Sequence, residues 1–214
     1  MAVDHLSDYI VTLFAPEDEL LGALREEADR SGFPPSSIAP DAGRFLQVLL
    51  RAVGATRVLE VGTLGGYSAI WMARALPVDG HLFTIEREDR YAAFAERYLE
   101  RAGLASVVTV RRGRALDVLP SLDGEEFDFV FLDADRVSLP TYFEWALRLV
   151  RPGGIIAIHN ALMGGRVVSA GANVDDEELR AVRDVNLRIA GDARLTSILT
   201  PAYDGLVVAV VAPR

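Results

Sequence analysis

Apolar residues in the first quarter of the chain recur every three or four positions. Leu20, Leu21, Leu24 and Ala28 form one such stripe, and Phe45, Leu46, Leu49 and Leu50 another. That spacing predicts amphipathic helices over 3–14, 17–31 and 42–53. The second opens with Glu17, Asp18 and Glu19 after Pro16, acids suited to a first helical turn. Gly32 to Ser37 reads as a loop. Beyond it, short apolar runs alternate with helical stretches. Strands are predicted at 57–61, 81–85, 106–110, 127–132 and 154–159, and helices at 67–76, 88–102, 114–121, 139–150 and 175–190. Two last runs, 194–199 and 206–211, have only Thr200 to Gly205 between them. That connection is too short for a helical crossover, so the two runs should pair antiparallel.

Five β/α units closed by an antiparallel hairpin predict an α/β fold: a doubly wound, mostly parallel sheet of seven strands. A chain of 214 residues suits one such domain, with 55–214 forming the sheet and 1–54 a helical cap or dimer segment. The net charge of -9 and pI of about 4.9 disfavour nucleic acid as the main partner. There is no cysteine, hence no disulfide framework and no thiolate chemistry. The first residues lack a basic segment followed by an apolar core, and no apolar run approaches the ~20 residues of a membrane span. The cytoplasm and no membrane partner are the expectations.

The chain is organised around Val58-Leu59-Glu60-Val61-Gly62-Thr63-Leu64-Gly65-Gly66-Tyr67-Ser68. It reads as a buried strand, a tight glycine turn and a helix start, the place where open α/β sheets bind nucleotides. The turn lacks the G-x-G-x-x-G spacing that seats a pyrophosphate and the G-K pair of a P-loop. Instead Glu60 precedes the first glycine by two residues, where an acid repels phosphate and suits an ammonium group. Glu86 ends the next strand and could accept from both hydroxyls of a ribose. A cationic methionine head with an uncharged ribose describes S-adenosylmethionine. The bland alternative is a strand–helix turn with a solvated acid.

A second cluster lies further on. The fourth strand ends in Asp133-Ala134-Asp135-Arg136 and the fifth in His159-Asn160. If those strands are neighbours, Asp133, His159 and Asn160 converge beside the glycine loop. Carboxylate, imidazole and amide oxygen can all ligate a metal. They can equally serve as a loop cap, a backbone partner and a turn residue.

Val58 to Ser68, Phe127 to Arg136 and Asp204-Gly205-Leu206, in this order, resemble the cation-dependent O-methyltransferases of the catechol and caffeoyl-CoA type, from about Pro16 to the C-terminus. The chain looks like a divergent, bacterial-type member. The resemblance implies a Rossmann-like S-adenosylmethionine-dependent methyltransferase fold, a divalent cation and a homodimer. It implies cofactor contacts from Ile38, Glu60, Gly62, Thr63, Ser68, Glu86, Ala115 and Asp133, the last serving the metal side as well.

Two departures fall at the chemistry. The family has a lysine after Asp-Ala-Asp where this chain has Arg136, and Asp-Asn where it has His159-Asn160. A lysine beside a metal can shed its proton, whereas arginine, with a pKa above ~12, cannot. Imidazole in place of carboxylate removes a negative charge from a magnesium site, so magnesium dependence should weaken. Histidine ordinarily titrates near ~6.5, which makes His159 the candidate base and Arg136 the holder of an anionic acceptor or a phenolate. The expected activity is O-methylation of a small phenolic or catechol-like acceptor. Methylation of a hydroxylated tRNA base and a non-catalytic, cofactor-binding dimer are the alternatives. The segment Val167 to Asn173 should border the acceptor.

Overall fold

Residues 2–35, 38–169 and 176–213 are described by the structure, a computed structural model; of residues 2–4 only the backbone is described. Three helices come first: α1 (Ala2–Phe14), α2 (Glu19–Arg30) and α3 (Pro40–Val53). Asp18 caps α2, its side chain accepting from the Leu21 amide at 3.0 Å. The helix therefore begins two residues later than its acids suggest. Pro40 starts α3 earlier than expected, because proline fits a first helical turn.

The sheet comprises β1 (Arg57–Val61), β2 (His81–Glu86), β3 (Val108–Arg112), β4 (Phe127–Leu132), β5 (Val150–Ile158), β6 (Leu195–Thr200) and β7 (Leu206–Val211). Its order is β3-β2-β1-β4-β5-β7-β6. The first five strands run parallel, and β7 pairs antiparallel with both β5 and β6. The seven-stranded sheet with its terminal hairpin is the architecture that the alternating pattern predicts. β3 starts two residues later than expected and β5 four residues earlier. The early part of β5 pairs Val150 with Phe127, then shifts register before Phe129–Ile155, so the apolar run from Ile155 marks only its regular half.

Between the strands lie α4 (Tyr67–Ala73), α5 (Asp89–Arg101), α6 (Ala115–Val118), α7 (Leu139–Leu149) and α8 (Glu177–Gly191). Pro120 turns the end of the predicted 114–121 helix into a 3₁₀ turn. The predicted helix start at 175 lies outside the described residues. Successive strand residues face opposite layers. Val58, Phe129 and Phe131 pack with Leu21, Leu46, Ile70 and Tyr98 from α2 to α5. Leu59, Val61, Val130 and Leu132 pack with Leu119, Phe143, Val182 and Val185 on the other side. Among the described residues, no helix is long and apolar enough to cross a membrane.

Strand order reverses at β1, which has β2 on one side and β4 on the other. Ligands of open α/β sheets lie over the carboxyl ends of the strands at such a point. At the opposite end Asp128 pins the sheet, accepting from the Thr56 and Arg57 amides at 2.7 and 2.8 Å and from Arg151 at 2.5 Å.

Candidate active site

The glycine loop is shaped by one close approach. Gly62 has φ +103°, and a Cβ there would stand 2.1 Å from the Asp133 carbonyl oxygen. The Asp133 amide in turn donates to the Val61 carbonyl at 2.9 Å. The exits of β1 and β4 are thus locked backbone to backbone. Beyond Gly62, the Gly66 amide closes the turn onto the Thr63 carbonyl at 2.8 Å. Leu64 is held at φ +47°, and its amide donates to the Glu86 carboxylate at 2.8 Å. The other Glu86 oxygen accepts from the Glu88 amide at 2.9 Å. One carboxylate therefore fixes the loop after β1 and the loop after β2 relative to each other.

Alternation along β1 turns Glu60 towards α4, on the face shared with Val58. It is fully buried and accepts from the Ser68 hydroxyl at 2.5 Å and the Thr84 hydroxyl at 2.6 Å. Burial pushes its carboxyl up to about 8. The two hydroxyl bonds work against that rise, and the negative charges of Asp133 and Glu86 add to it.

Above this floor lies a cavity of about 300 Å³. Ile38, Gly62, Thr63, Ser68, Glu86, Ala115 and Asp133 line it, each a residue named from the sequence. Glu60 does not line it but stands behind Ser68. Any charge it offers an ammonium group acts through that hydroxyl, where the sequence reading set the acid against the ligand directly. The wall also includes Pro34, Tyr67, Tyr91, Asp135 and Tyr142, which sequence reasoning did not single out. The Tyr142 hydroxyl donates to Asp135 at 2.6 Å, and the Ser138 amide donates to its other oxygen at 3.0 Å. Burial and this acidic partner push the Tyr142 hydroxyl up to about 12. Burial also raises the Asp135 carboxyl, but its donors outweigh that and hold it below the usual carboxylate range. The second acid of Asp-Ala-Asp was a visible signal for this pair. Pro34 and Tyr91 meet only through tertiary packing, Tyr91 lying against Phe33 with ring centroids 4.4 Å apart.

Asp133, Arg136 and Asn160 also line the cavity. β4 and β5 are neighbours with Leu132 paired to Ile158, which brings Asp133 and Asn160 to one cavity but leaves His159 out of its wall. Asn160 turns at φ +57°. The following loop is tied to the β6–β7 turn by the Ala161 and Leu162 amides, which donate to the Gly205 and Asp204 carbonyls at 2.9 Å. His159 is buried and sits behind Asp133 rather than in the cavity wall. Its Nδ1 is 3.2 Å from Asp133 Oδ1, placed to donate. Arg136 Nη2 lies 3.7 Å from that same oxygen, while Arg136 Nη1 is buried without a partner among the described residues. Residues 170–173 of the segment expected to border the acceptor lie outside the described residues.

The glycine cradle with its acids and apolar walls fits an adenosyl ligand with a cationic head. The set Asp133, His159 and Asn160 does not fit magnesium. It holds one carboxylate, and the oxygen of that carboxylate nearest its neighbours is already approached by an imidazole nitrogen and a guanidinium. Hard dications require several oxygen ligands. Among the described residues, no three His, Cys, Asp or Glu side chains gather as a ligand set.

Comparison with known proteins places this geometry among relatives. A family model described as O-methyltransferase matches residues 12–211. A catechol O-methyltransferase of Niastella koreensis is 40% identical over 98% of this chain and 96% of its own length. A catechol O-methyltransferase of Mycobacterium tuberculosis is 37% identical over 91% of this chain and 90% of its own. Among solved structures, the O-methyltransferase TomG of Streptomyces achromogenes in complex with SAM superposes with a TM-score of 0.89 at 39% identity, covering 97% of this chain and 96% of TomG. An O-methyltransferase of Bacillus cereus in complex with SAH gives 0.89 at 37% identity, covering 97% of each chain.

Proposed function

This chain belongs to the O-methyltransferase family, and from that premise we propose that it methylates a hydroxyl of a small phenolic or catechol-like acceptor, with weakened or lost dependence on magnesium. S-adenosylmethionine is the donor: the bond from its methyl carbon to sulfur breaks, the electron pair staying on sulfur, as the acceptor oxygen bonds that carbon. The observation that carries the reading is a single cavity lined both by the glycine loop with Glu86 and by Asp133, Arg136 and Asn160. A shared cavity supports direct transfer, which needs donor and acceptor side by side.

The chain's own residues divide the work. Gly62 to Ser68 hold the methionine portion against Ser68, backed by Glu60. Glu86 accepts from the ribose while its two amide donors keep it in place. Ile38, Tyr91 and Ala115 supply apolar wall around the adenine and close it to water. At the acceptor end the hydroxyl proton goes to the Asp133 carboxylate, which faces the cavity, while the His159 ring 3.2 Å behind it holds that carboxylate in place by donating from Nδ1. The Arg136 guanidinium stabilises the phenolate that develops, in the low-dielectric setting where such stabilisation is strongest. Arginine keeps its proton, so Arg136 acts as a fixed cation and not as a base.

The test is a methyl-transfer screen against catechols and other phenols, run with and without a chelator. Transfer that persists with chelator supports the proposal. Activity lost with chelator and fully restored by magnesium alone would overturn the metal part, and no transfer to any phenol would overturn the whole.

A further inference from the structure

Resting on the reading above, we propose that Arg136 binds a carboxylate of the acceptor, adjacent on the ring to the hydroxyl that is methylated, so that the substrate class is a 2-hydroxyarene carboxylate rather than an uncharged catechol. Arg136 is the least exposed arginine among the described ion pairs, its side chain 15% exposed. It lines the cavity, yet its pairing is incomplete. Nη2 is 3.7 Å from Asp133, too long for a hydrogen bond, and Nη1 has no partner among the described residues. The other acids of the cavity are engaged: Asp135 by Tyr142 and Ser138, Glu86 by the Leu64 and Glu88 amides, and Glu88 by Arg87 at 3.2 Å. A largely buried cation left this way is unfavourable until an anion meets it.

The guanidinium fork matches a planar pair of oxygens, which a carboxylate presents with full charge. A small turn of the guanidinium towards the cavity presents Nη1 and Nη2 together. An uncharged diol offers the same fork only weak acceptors, and it lacks here the dication that would draw off its protons. Charge argues the same way. With a sulfonium in the cavity, the single Asp133 carboxylate faces two cations, and an anionic acceptor restores the balance. Position follows from proximity. Arg136 Nη2 stands 3.7 Å from Asp133 Oδ1, so the anion holder lies beside the carboxylate that takes the hydroxyl proton. The groups they serve on the acceptor must then be neighbours.

The experiment is calorimetry on the protein saturated with S-adenosylhomocysteine, titrated with catechol, 2-hydroxybenzoate and 2,3-dihydroxybenzoate. The two carboxylates should bind at least tenfold more tightly than catechol. Arg136→Met should erase that ratio, and Arg136→Lys should reduce it about threefold or more, which keeps the test open if the methionine variant does not fold. S-adenosylhomocysteine should bind all variants within about threefold. A native ratio near one, a ratio that survives Arg136→Met, or no binding of either carboxylate would overturn the inference. A tenfold loss of S-adenosylhomocysteine affinity in Arg136→Met would also overturn it, by placing Arg136 on the cofactor. The broader reading fails separately: the carboxylate preference would stand while methyl transfer is absent.

Discussion

The Ser68 hydroxyl donates to the Glu60 carboxylate at 2.5 Å, and the cavity wall stops at that serine while the acid lies fully buried behind it. Burial lifts the Glu60 carboxyl from its ordinary 4.5 to about 8. Between those values the native protein holds a proton that the unfolded chain has released. Stability of the cofactor-free protein therefore falls as pH rises through this window. Calorimetric Tm should drop by more than about 3 °C between pH 5 and pH 8, the shift that ~1 kcal/mol produces in a chain of this size. Glu60→Gln should flatten that slope. A cationic head beside Ser68 favours the ionised acid, so affinity for S-adenosylmethionine should rise over the same window with release of a proton. Titration in buffers of different ionisation heat measures that proton, and a proton count of zero at pH 7 would contradict the linkage.

Glu86 should matter for the cofactor in two ways, as ribose acceptor and as clamp on Leu64 and Glu88. Glu86→Ala leaves both amides without their acceptor and should weaken S-adenosylhomocysteine binding tenfold or more, which is about 1.4 kcal/mol. Unchanged affinity, read by calorimetry on protein of native circular dichroism, would remove Glu86 from the site.

The pair Arg136 and His159 should account for the metal behaviour. In His159→Asp with Arg136→Lys the acceptor end gains a carboxylate and loses the permanent cation. Magnesium should then stimulate methyl transfer at least tenfold in the double variant, and chelator should abolish it. The native protein should retain most of its rate under the same chelator. A double variant indifferent to magnesium would show that the two positions do not govern the cation.

The sheet was legible because its signals are local. β-branched runs, short loops and the six-residue link before Leu206 required no knowledge of the partner strands. The donor half of the site was legible for the same reason, since Glu60 to Ser68 is one continuous stretch and Glu86 ends the next strand. What escaped depends on packing across the chain. Strand parity alone turns Glu60 towards α4 but does not tell that Ser68 would cover it. The position of His159 behind Asp133, rather than beside it, depends on how the two side chains pack once β4 and β5 are paired. Pro34 comes from the loop after α2 and Tyr91 from the first turn of α5, so they share a wall only after α5 docks. The early start of β5 was hidden because Arg151 to Gly154 carries none of the apolar signature of a strand.

The amphipathic α1 leaves Leu6, Tyr9, Leu13 and Phe14 between 56% and 64% exposed, at helical spacing on one side. Its other side is tied to α3, where Arg44 donates to the Phe14 carbonyl at 2.8 Å. A second copy of the chain is the expected cover for this stripe. Light scattering at micromolar concentration should report a dimer, and Leu6→Glu with Leu13→Glu should yield a monomer of similar Tm. A native monomer would leave the segment as a cap over the site alone.

The passage of Gly62 against the Asp133 carbonyl divides what can change in this protein from what cannot. No side chain fits at position 62 without pushing the fourth strand's exit, so the donor end and the backbone that carries Asp133 can only vary together. The backbones of 136 and 159 belong to that frame too, the His159 amide donating to the Leu132 carbonyl at 3.1 Å, but their side chains do not build it. Acceptor preference is therefore the exchangeable part: two substitutions can rewrite the charge that greets an incoming molecule while the methyl donor's seat stays where it is. Directed evolution towards new acceptors has its natural starting library at those two positions, with Gly62 left untouched.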